Sequence, residues 1–306
     1  MRKIRYASDF ALPICLKICH HPVMSLPPSI FNDVLGPVMR GPSSSHSAAA
    51  NRIARIARNL VGERVCKLIA NYDPNGSLVT THKDQGTDLG LYSGILGWEP
   101  HDARLPTYPQ ALEDAGIEVV VNYVSYDAPH PNFYRLEIIG ESGTSYFLDA
   151  TSPGGGMIEL QAIDGIPLGG VGDLHVSLFW LDVQPEPAEY EESNTFLEAE
   201  AATWLPGQDG SGLLRFDSRE IPTDEELDKL GQALGSTRHR VLHAVLPILS
   251  RKNLTVPFAR CGEMQQHSEF SDRPLWESAA CYEAARGGIT QADVLERMKA
   301  LAKIMA

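Results

Sequence analysis

GPSSSHSAAANRIARIARNL, residues 41–60, joins a polar turn to a helix. Its apolar residues recur at helical spacing and its arginines occupy the other face, which predicts a helix over residues 48–60. The two sets are Ile53, Ile56, Ala57 and Leu60 against Arg52, Arg55 and Arg58. Three serines and His46 therefore precede this helix at its N-terminus.

A helix N-terminus presents up to four unpaired N–H groups and about half a positive charge. The hydroxyls of Ser43, Ser44 and Ser45 add donors for a carboxylate or phosphate, and His46 could donate a proton or anchor a negative group. The alternative is an ordinary cap, in which one serine caps the helix and the others are solvated. The residues alone leave both interpretations open.

The composition excludes several classes of protein. The 306 residues, 43% of them hydrophobic, are enough for one large or two ordinary domains. With 26 basic against 39 acidic residues and no basic block, nucleic acid and anionic membranes are poor partners. Apolar stretches such as IEVVVNYV and VLHAVLPIL fall short of the roughly 18 residues of a membrane span. We expect a cytoplasmic protein that does not cross a membrane.

The five cysteines form an odd number in a chain too large to need disulfides, which favours a reducing cytoplasm. They are Cys15, Cys19, Cys66, Cys261 and Cys281. The stretch CLKICHH invites a metal hypothesis, but no closed four-ligand site can be written, and we expect no metal ligand in this chain. Cys66, which alternates with apolar residues in RVCKLIA, is predicted to be a small buried strand side chain. Residues 1–23 are interpreted as an unstructured extension or an incorrectly assigned start.

From about residue 29 to 165, helical and strand patterns alternate with glycine turns. The predicted helices cover residues 48–60, 88–96 and 109–115, and the predicted strands cover 65–71, 117–125, 133–139 and 145–150. This mixture of antiparallel strands and separate helices is typical of an α+β domain.

The rest of the chain divides into a smaller unit and a helical tail. After the linker GIPLGGVGD come a strand over 175–183, the exposed connection PEPAEYEES, a helix at FLEAEAATWL, strand GLLRF, a helix over 224–234 capped by Thr223, and a strand over 240–249. The order β-α-β-α-β favours a small α/β sandwich. The last helix is capped by Thr290, and its apolar stripe is predicted to cover a neighbouring domain or a second chain: Val294, Met298, Leu301 and Met305.

Four motifs in one order resemble a known family. They are IFNDVLGPVMRGPSSSHSAAANRIA, GSLVTTHKDQGTDLGLYSGILGWEP, APHPNFYRLEI and TSPGGGMIEL, spread over about residues 29–165. Together they resemble the β subunit, or N-terminal β domain, of the iron-sulfur L-serine dehydratases, also called L-serine ammonia-lyases. The resemblance favours the interpretation of residues 41–47, called the serine loop below, as an anion site.

The resemblance implies a domain plan. It predicts an N-terminal extension over 1–23 and a serine dehydratase β-like domain, similar to allosteric-substrate-binding domains, over 24–170. An ACT-like α/β domain would follow over 171–264, and a helical tail similar to the lead-in of an α domain over 265–306.

The resemblance also implies an activity, in which L-serine is converted to pyruvate and ammonia. In the family a 4Fe-4S cluster acts as Lewis acid toward the substrate hydroxyl. Its cysteine ligands belong to the α part, so the expected partners are a separate α chain and a small amino acid substrate. An oligomer is expected.

Site residues are carried over from the motifs. Ser43, Ser44 and Ser45 are expected to bind the substrate carboxylate, with His46 and His130 as catalytic residues. Thr87, Asp88 and Asn132 are expected to orient the substrate, although Thr87 and Asp88 also suit an ordinary helix start and His130 and Asn132 an ordinary turn. A structural role is expected for a turn that needs positive φ: Gly154, Gly155 and Gly156.

The chain departs from the family pattern at several positions. Gln85 stands where the family has histidine, and an amide cannot serve as an acid-base group near neutral pH. His82, three positions earlier, could compensate. Ser47 replaces threonine, and Ala49, Ala50 and Asn51 replace Gly, Pro and Met. Three hypotheses follow: an active β chain, a noncatalytic amino acid binding module, or a lyase for another small hydroxy amino acid.

Overall fold

The computed structural model describes residues 27–236, 238–251, 254–267 and 269–305. The predicted extension over 1–23, with its CLKICHH stretch, lies outside these residues. Within them the chain folds into two β-sheets with helices packed against them, which agrees with the predicted α+β class.

The first sheet has six strands in the order β2-β1-β3-β4-β5-β6. Strands β1 and β2 are parallel, and every other neighbouring pair is antiparallel. Strand β5 was not predicted; it returns along β4 through the glycine turn. The strands are β1 Val65–Tyr72, β2 Glu118–Tyr123, β3 Phe133–Gly140, β4 Ser145–Gly154, β5 Met157–Ile163 and β6 Ile166–Pro167.

Four helices belong to this sheet, and the three predicted from sequence lie within one residue of their expected bounds. They are α1 Ala49–Val61, α2 Leu78–Thr81, α3 Thr87–Ile95 and α4 Tyr108–Ala115. Short π-helical turns at Ile30–Val34 and Ser44–Ala48 and a 3-10 turn at Leu105–Thr107 complete this part. The turn at Ser44–Ala48 runs directly into α1, so the serine loop is the first turn of a long helix.

Helix α1 is buried on nearly all sides. Ile53, Ile56 and Leu60 have 1% exposure or less, and each contributes about 2 kcal/mol by leaving water. Arg52, on the face opposite the apolar residues, is itself only 2% exposed. Helix α3 packs on one side of α1, and residues 244–247 close the space beside Arg52.

Helices α1 and α3 approach each other through two glycines. A Cβ atom on Gly90 would lie 2.0 Å from the carbonyl oxygen of Ser47, and one on Gly94 would lie 2.4 Å from that of Asn51. Only residues without a side chain allow this distance. The contact fixes the start of α3 against the serine loop.

The second sheet has four antiparallel strands in the order β10-β7-β9-β8. The chain order is β-α-β-β-α-β, the split β-α-β topology. Its elements are β7 His175–Leu181, α5 Pro187–Phe196, β8 Ala201–Pro206, β9 Gly212–Ser218, α6 Asp224–Ala233 and β10 Arg238–Leu242. This topology suits the predicted ACT-like unit, which stays a prediction.

Two sequence predictions in this unit are wrong. The stretch PEPAEYEES is largely exposed, as predicted, but it is mostly helix α5 and not a connection, and the predicted helix at FLEAEAATWL is replaced by the end of α5 and strand β8. Pairing with β9 determines the conformation of β8, because its own residues favour a helix.

The C-terminal region is helical, as predicted, with α7 Cys261–Gln266, α8 Leu275–Gly287 and α9 Gln291–Met305. The caps at Thr223 and Thr290 are confirmed, since each hydroxyl accepts a hydrogen bond from the amide three residues later. The strand predicted over 240–249 ends at Leu242, and Cys66 is half-buried rather than fully buried.

One hydrophobic core continues from the first sheet to the second. Leu136 and Leu148 of the first sheet belong to the same buried cluster as Leu178, Leu213 and Leu242 of the second. None of the helices in the described ranges combines the length and apolar character needed to cross a bilayer.

Candidate functional site

The serine loop is not closed by a side-chain cap. Ser43, the N-cap residue, has an extended backbone and makes no capping hydrogen bond with its side chain. Its Oγ lies 3.2 Å from Oγ of Ser45, and its carbonyl accepts from the amides of His46 and Ser47. The amides of Ser44 and Ser45 precede these, so helix geometry leaves them as donors at the N-terminus.

His46 is 5% exposed and is held by the start of α3. Its Nδ1 lies 3.0 Å from Oγ1 of Thr87, which is completely buried. Burial lowers the pKa of His46, so the imidazole is neutral at neutral pH. With Nδ1 held by Thr87, Nε2 is the nitrogen available for proton exchange.

Asp88 points away from the serine loop to His82. The carboxylate lies 2.8 Å and 3.0 Å from Nδ1 of His82, and Nε2 of the same ring lies 2.8 Å from the Tyr123 hydroxyl. His82 is only 3% exposed, and both of its nitrogens have partners. His82 was expected to compensate for Gln85, but both of its ring nitrogens are already hydrogen-bonded to Asp88 and Tyr123.

Gln85 lies at the exposed edge of the serine loop. Its carbonyl accepts a hydrogen bond of 3.3 Å from the Ser47 hydroxyl, and its amide N–H donates to the carbonyl of Thr81. Gln85 as a whole is exposed to solvent. The position that carries histidine in the family thus borders the loop, but it presents an amide.

Buried tyrosines surround Thr87 and Asp88. Burial raises the pKa of Tyr72 and of Tyr134, and burial together with the Asp88 carboxylate raises that of Tyr92. These phenols keep their protons at neutral pH. They give Asp88 and Thr87 a polar but water-poor environment behind the loop.

The loop before the His-Pro-Asn motif is organised by Asp73. Its carboxylate accepts from the amides of Tyr126, Asn75 and Ala128, and these hydrogen bonds, that of Tyr126 first, lower its pKa. A carboxylate with three backbone donors holds its loop firmly. Asp73 was not recognised from sequence, although an acidic residue directly after a buried strand is a usable signal.

His130 and Asn132 form a local turn. The amide of Asn132 donates to Nδ1 of His130 at 3.0 Å, and the Asn132 side chain accepts from the Ser77 hydroxyl. With Nδ1 as acceptor, the neutral ring of His130 carries its proton on Nε2. In this geometry His130 presents a donor rather than a base.

Ser152 joins this turn to the serine loop. Its amide donates to the carbonyl of Asn132 at 3.0 Å, and its hydroxyl donates to the carbonyl of Ser45 at 2.9 Å. Ser152 was missed by the sequence analysis. Its position two residues before the glycine triplet, in a motif already singled out, was the signal.

The glycine triplet forms the turn between β4 and β5. Gly154, Gly155 and Gly156 have φ of 127°, 61° and 80°, a region that favours glycine. A Cβ atom on Gly156 would lie 2.6 Å from Pro37, and the carbonyl of Gly156 accepts from Arg52. All four motifs therefore meet around the N-terminal end of α1.

The described residues do not fit an iron-sulfur cluster. No three His, Cys, Asp or Glu side chains in them lie close enough together to hold a metal ion. Cys66, Cys261 and Cys281 are separate free thiols. Within this part of the chain, the site offers hydrogen-bonding groups and not a set of metal ligands.

The molecule is an α+β protein with a cluster of polar hydrogen-bonding groups at the N-terminus of α1. Comparison with curated proteins finds 39% identity over 140 residues to the probable L-serine dehydratase, beta chain, of Bacillus subtilis (strain 168), covering 46% of this chain and 62% of the relative. The L-serine dehydratase, beta chain, of Peptoniphilus asaccharolyticus is 34% identical over 137 residues, covering 44% and 61%.

These two matches confirm the resemblance to L-serine dehydratase beta chains. The match spans somewhat less than two thirds of the length of each relative. No protein-family model matches the chain.

Proposed function

We propose that this chain is the β component of an L-serine dehydratase, which converts L-serine to pyruvate and ammonia together with a separate α chain. The observation that carries the proposal is the convergence of the four motifs at the N-terminus of α1, where Ser45, Ser152 and Asn132 are joined by hydrogen bonds. The similarity to two beta chains supports it.

The substrate carboxylate would bind at the start of the helix. The amides of Ser44 and Ser45 and the hydroxyls of Ser43 and Ser45 supply donors, and the helix end adds a positive potential. Each hydrogen bond to a charged group contributes about 1.5–3 kcal/mol. Two or three such hydrogen bonds are enough for a substrate Kd in the millimolar to micromolar range.

His46 would exchange a proton with the bound substrate through Nε2. Thr87 fixes the ring through Nδ1, and burial keeps the imidazole neutral, the form able to accept a proton. His130 would contribute a hydrogen bond from its Nε2–H. Asp88, bound to His82, would hold the loop from 82 to 88 closed behind Thr87.

The cofactor of the proposed complex is a 4Fe-4S cluster held by cysteines of the α chain, and the proposed compartment is the reducing cytoplasm.

An apolar groove of about 460 Å³ between the segment after the first turn and α9 is the proposed contact for the α chain. Leu35 and Pro37 form one wall, and Met298, Leu301 and Ile304 form the other. Met298 and Ile304 are 38% and 41% exposed, so this wall of the groove is open to a partner.

A second candidate function is a noncatalytic amino acid binding module. Gln85 presents an amide at the family's histidine position, and His82 has both ring nitrogens engaged. The serine loop would then bind a carboxylate without proton transfer by either group.

Reconstitution separates the two functions. The full chain is co-purified anaerobically with an iron-sulfur α chain of a serine dehydratase, and pyruvate release from L-serine is measured alongside the melting temperature of this chain. Pyruvate release that depends on this chain supports the enzyme. A rise in melting temperature with serine and no pyruvate from an assembled complex supports the binding module. The absence of both pyruvate release and a rise in melting temperature would contradict both functions.

A further inference from the structure

Arg52 is a buried cation without a buried counter-charge. The residue is 2% exposed, and no carboxylate of the described residues forms an ion pair with it. Its Nη1 donates to the carbonyl of Gly156, but its buried Nε has no partner among the described residues. A buried, uncompensated charge is costly, so the environment of Arg52 is incomplete without an anion.

The nearest carboxylate is already used by another arginine. Glu99 accepts from both terminal nitrogens of Arg55, at 2.8 Å and 2.6 Å, in a bidentate pair. Burial and the neighbouring Arg55 lower the pKa of Arg52 to about 10, an effect that Glu99 only partly opposes. The positive charge at this point of α1 therefore exceeds the negative charge.

A small cavity adjoins this charge. It has a volume of about 200 Å³, and its polar lining comprises Arg52, Arg55, Glu99 and His101. Arg40 donates to the His101 carbonyl at 3.1 Å but does not itself line the cavity. In a chain with a net charge of -13, a cavity bordered by two guanidiniums and one carboxylate is a local reversal of sign.

The remaining walls of the cavity are apolar. Val38, Pro100 and residues 244–247 supply them. The volume lies below the roughly 300–1,000 Å³ of pockets for drug-sized ligands, which limits a ligand to a few heavy atoms. A carboxylate suits the planar guanidinium, and a short carbon body suits the apolar walls.

We propose that this cavity binds a small monocarboxylate, of the size of acetate or pyruvate, on the guanidinium of Arg52. The site is separate from the serine loop, because the lining of the cavity includes none of residues 41–47. Its walls come from α1 and from the segment after β10, so the bound anion bridges the two sheets of the molecule.

The test is calorimetric titration of the full chain with acetate, with chloride adjusted to constant ionic strength and with L-serine present in excess. Arg52→Gln removes the charge, Ala244→Phe fills the cavity without removing it, and Arg58→Gln on the same helix is the matched control. We expect wild type and Arg58→Gln to bind acetate, and both cavity variants to bind it at least about ten-fold more weakly.

Thermal unfolding adds an independent measurement. Acetate in ten-fold excess over its Kd should raise the melting temperature of wild type by about 2 °C. Arg52→Gln should melt at or above the temperature of anion-free wild type, because it removes an uncompensated charge, and should no longer respond to acetate.

Absence of acetate binding to wild type, or equal affinity in Arg52→Gln, would overturn the proposal. Inorganic phosphate is titrated in parallel, and tighter binding of phosphate than of acetate would contradict the monocarboxylate assignment. Failure of the proposed function would show as an absence of serine binding and of pyruvate release. These two measurements do not depend on whether Arg52→Gln responds to acetate, so the two proposals can fail independently.

Discussion

At the scale of single residues, His46 combines burial, a lowered pKa and a hydrogen bond that fixes its ring. We predict that His46→Gln lowers kcat of the reconstituted complex by about 100-fold or more, the usual contribution of a positioned acid-base group. The variant should keep its fold, because glutamine can retain a hydrogen bond to Thr87. Steady-state kinetics and thermal unfolding provide the measurement.

His239→Gln is the matched control for that variant. His239 is a half-buried histidine of β10, next to Phe179 in the second sheet and distant in sequence from every motif of the site. Equal losses of kcat in the two variants would contradict a specific role for His46.

Gln85 offers the opposite experiment, a gain of function. Gln85→His introduces an imidazole at the position where the family carries one, in the residue whose backbone carbonyl accepts from Ser47, and the exposed position tolerates the change. We predict a rise in pyruvate release of about ten-fold or more if proton transfer limits the wild-type reaction. Lys83→His, an exposed neighbour on the same segment, should leave the rate unchanged. An equal gain at both positions would show that the location of the imidazole does not matter.

Three histidines predict how stability depends on pH. Burial lowers the pKa of His46, of His175 and of His243, and the last two rings lie 5.7 Å apart. The unfolded chain therefore binds protons at about pH 6.5 that the folded chain binds only at lower pH. The free energy of unfolding should fall as the pH decreases below about 6.5. Urea unfolding between pH 7.5 and 5 measures this, and the triple His→Gln variant should show a weaker dependence.

The residues of the site were predictable where a local pattern carried them. The serine loop precedes an amphipathic helix, so Ser43 to His46 could be placed at its N-terminus. The contacts of Ser152 and Arg52 could not be predicted, because their partners are distant in sequence. Ser152 lies 20 residues from Asn132 and 107 from Ser45, and Arg52 lies 104 residues from Gly156. Burial of an arginine depends on what packs over it, which helical periodicity does not contain.

At the scale of secondary structure, the contact of α1 with α3 positions Thr87 against His46. We predict that Gly90→Ala destabilises the protein by about 1–3 kcal/mol, because the new Cβ meets backbone that cannot rotate away. The same change should separate Thr87 from His46 and reduce serine binding. Gly262→Ala in α7, where a Cβ meets open space, is the control and should be neutral. Chemical denaturation measures both variants, and equal stability would contradict the close-packing argument.

The element predictions failed where tertiary pairing decides the conformation. AATWLP has helix-favouring alanines and leucine, yet it forms β8 at the edge of the second sheet because β9 offers a free row of backbone groups. The acidic stretch before it forms α5, which begins with Pro187 at its first turn and a Glu189 carboxylate accepting from the Glu186 amide. Proline followed by glutamate was a helix-start signal that the acidic composition concealed.

At the scale of the whole molecule, the segment after β10 connects both sheets and the C-terminal helices. The amides of Val245 and Leu246 donate to Gly172, Asn32 bonds the backbone of Ile248, and Arg297 of α9 donates to Pro247. The same segment closes the cavity beside Arg52. An anion in that cavity is therefore linked through one stretch of backbone to α9 and to the proposed contact for the α chain.

The groove beside α9 predicts how assembly with the α chain can be disrupted. Ile304→Glu places a charge on an apolar wall that the proposed partner would cover, and burial of an unpaired carboxylate is strongly unfavourable. We expect a loss of co-purification of at least about ten-fold, with unchanged serine binding by the isolated chain. Ala300→Glu introduces the same charge on an exposed residue of α9 outside the groove and should assemble normally. Normal assembly of Ile304→Glu would place the α chain elsewhere, while equal loss in both variants would indicate general electrostatic repulsion along α9 instead of contact in the groove.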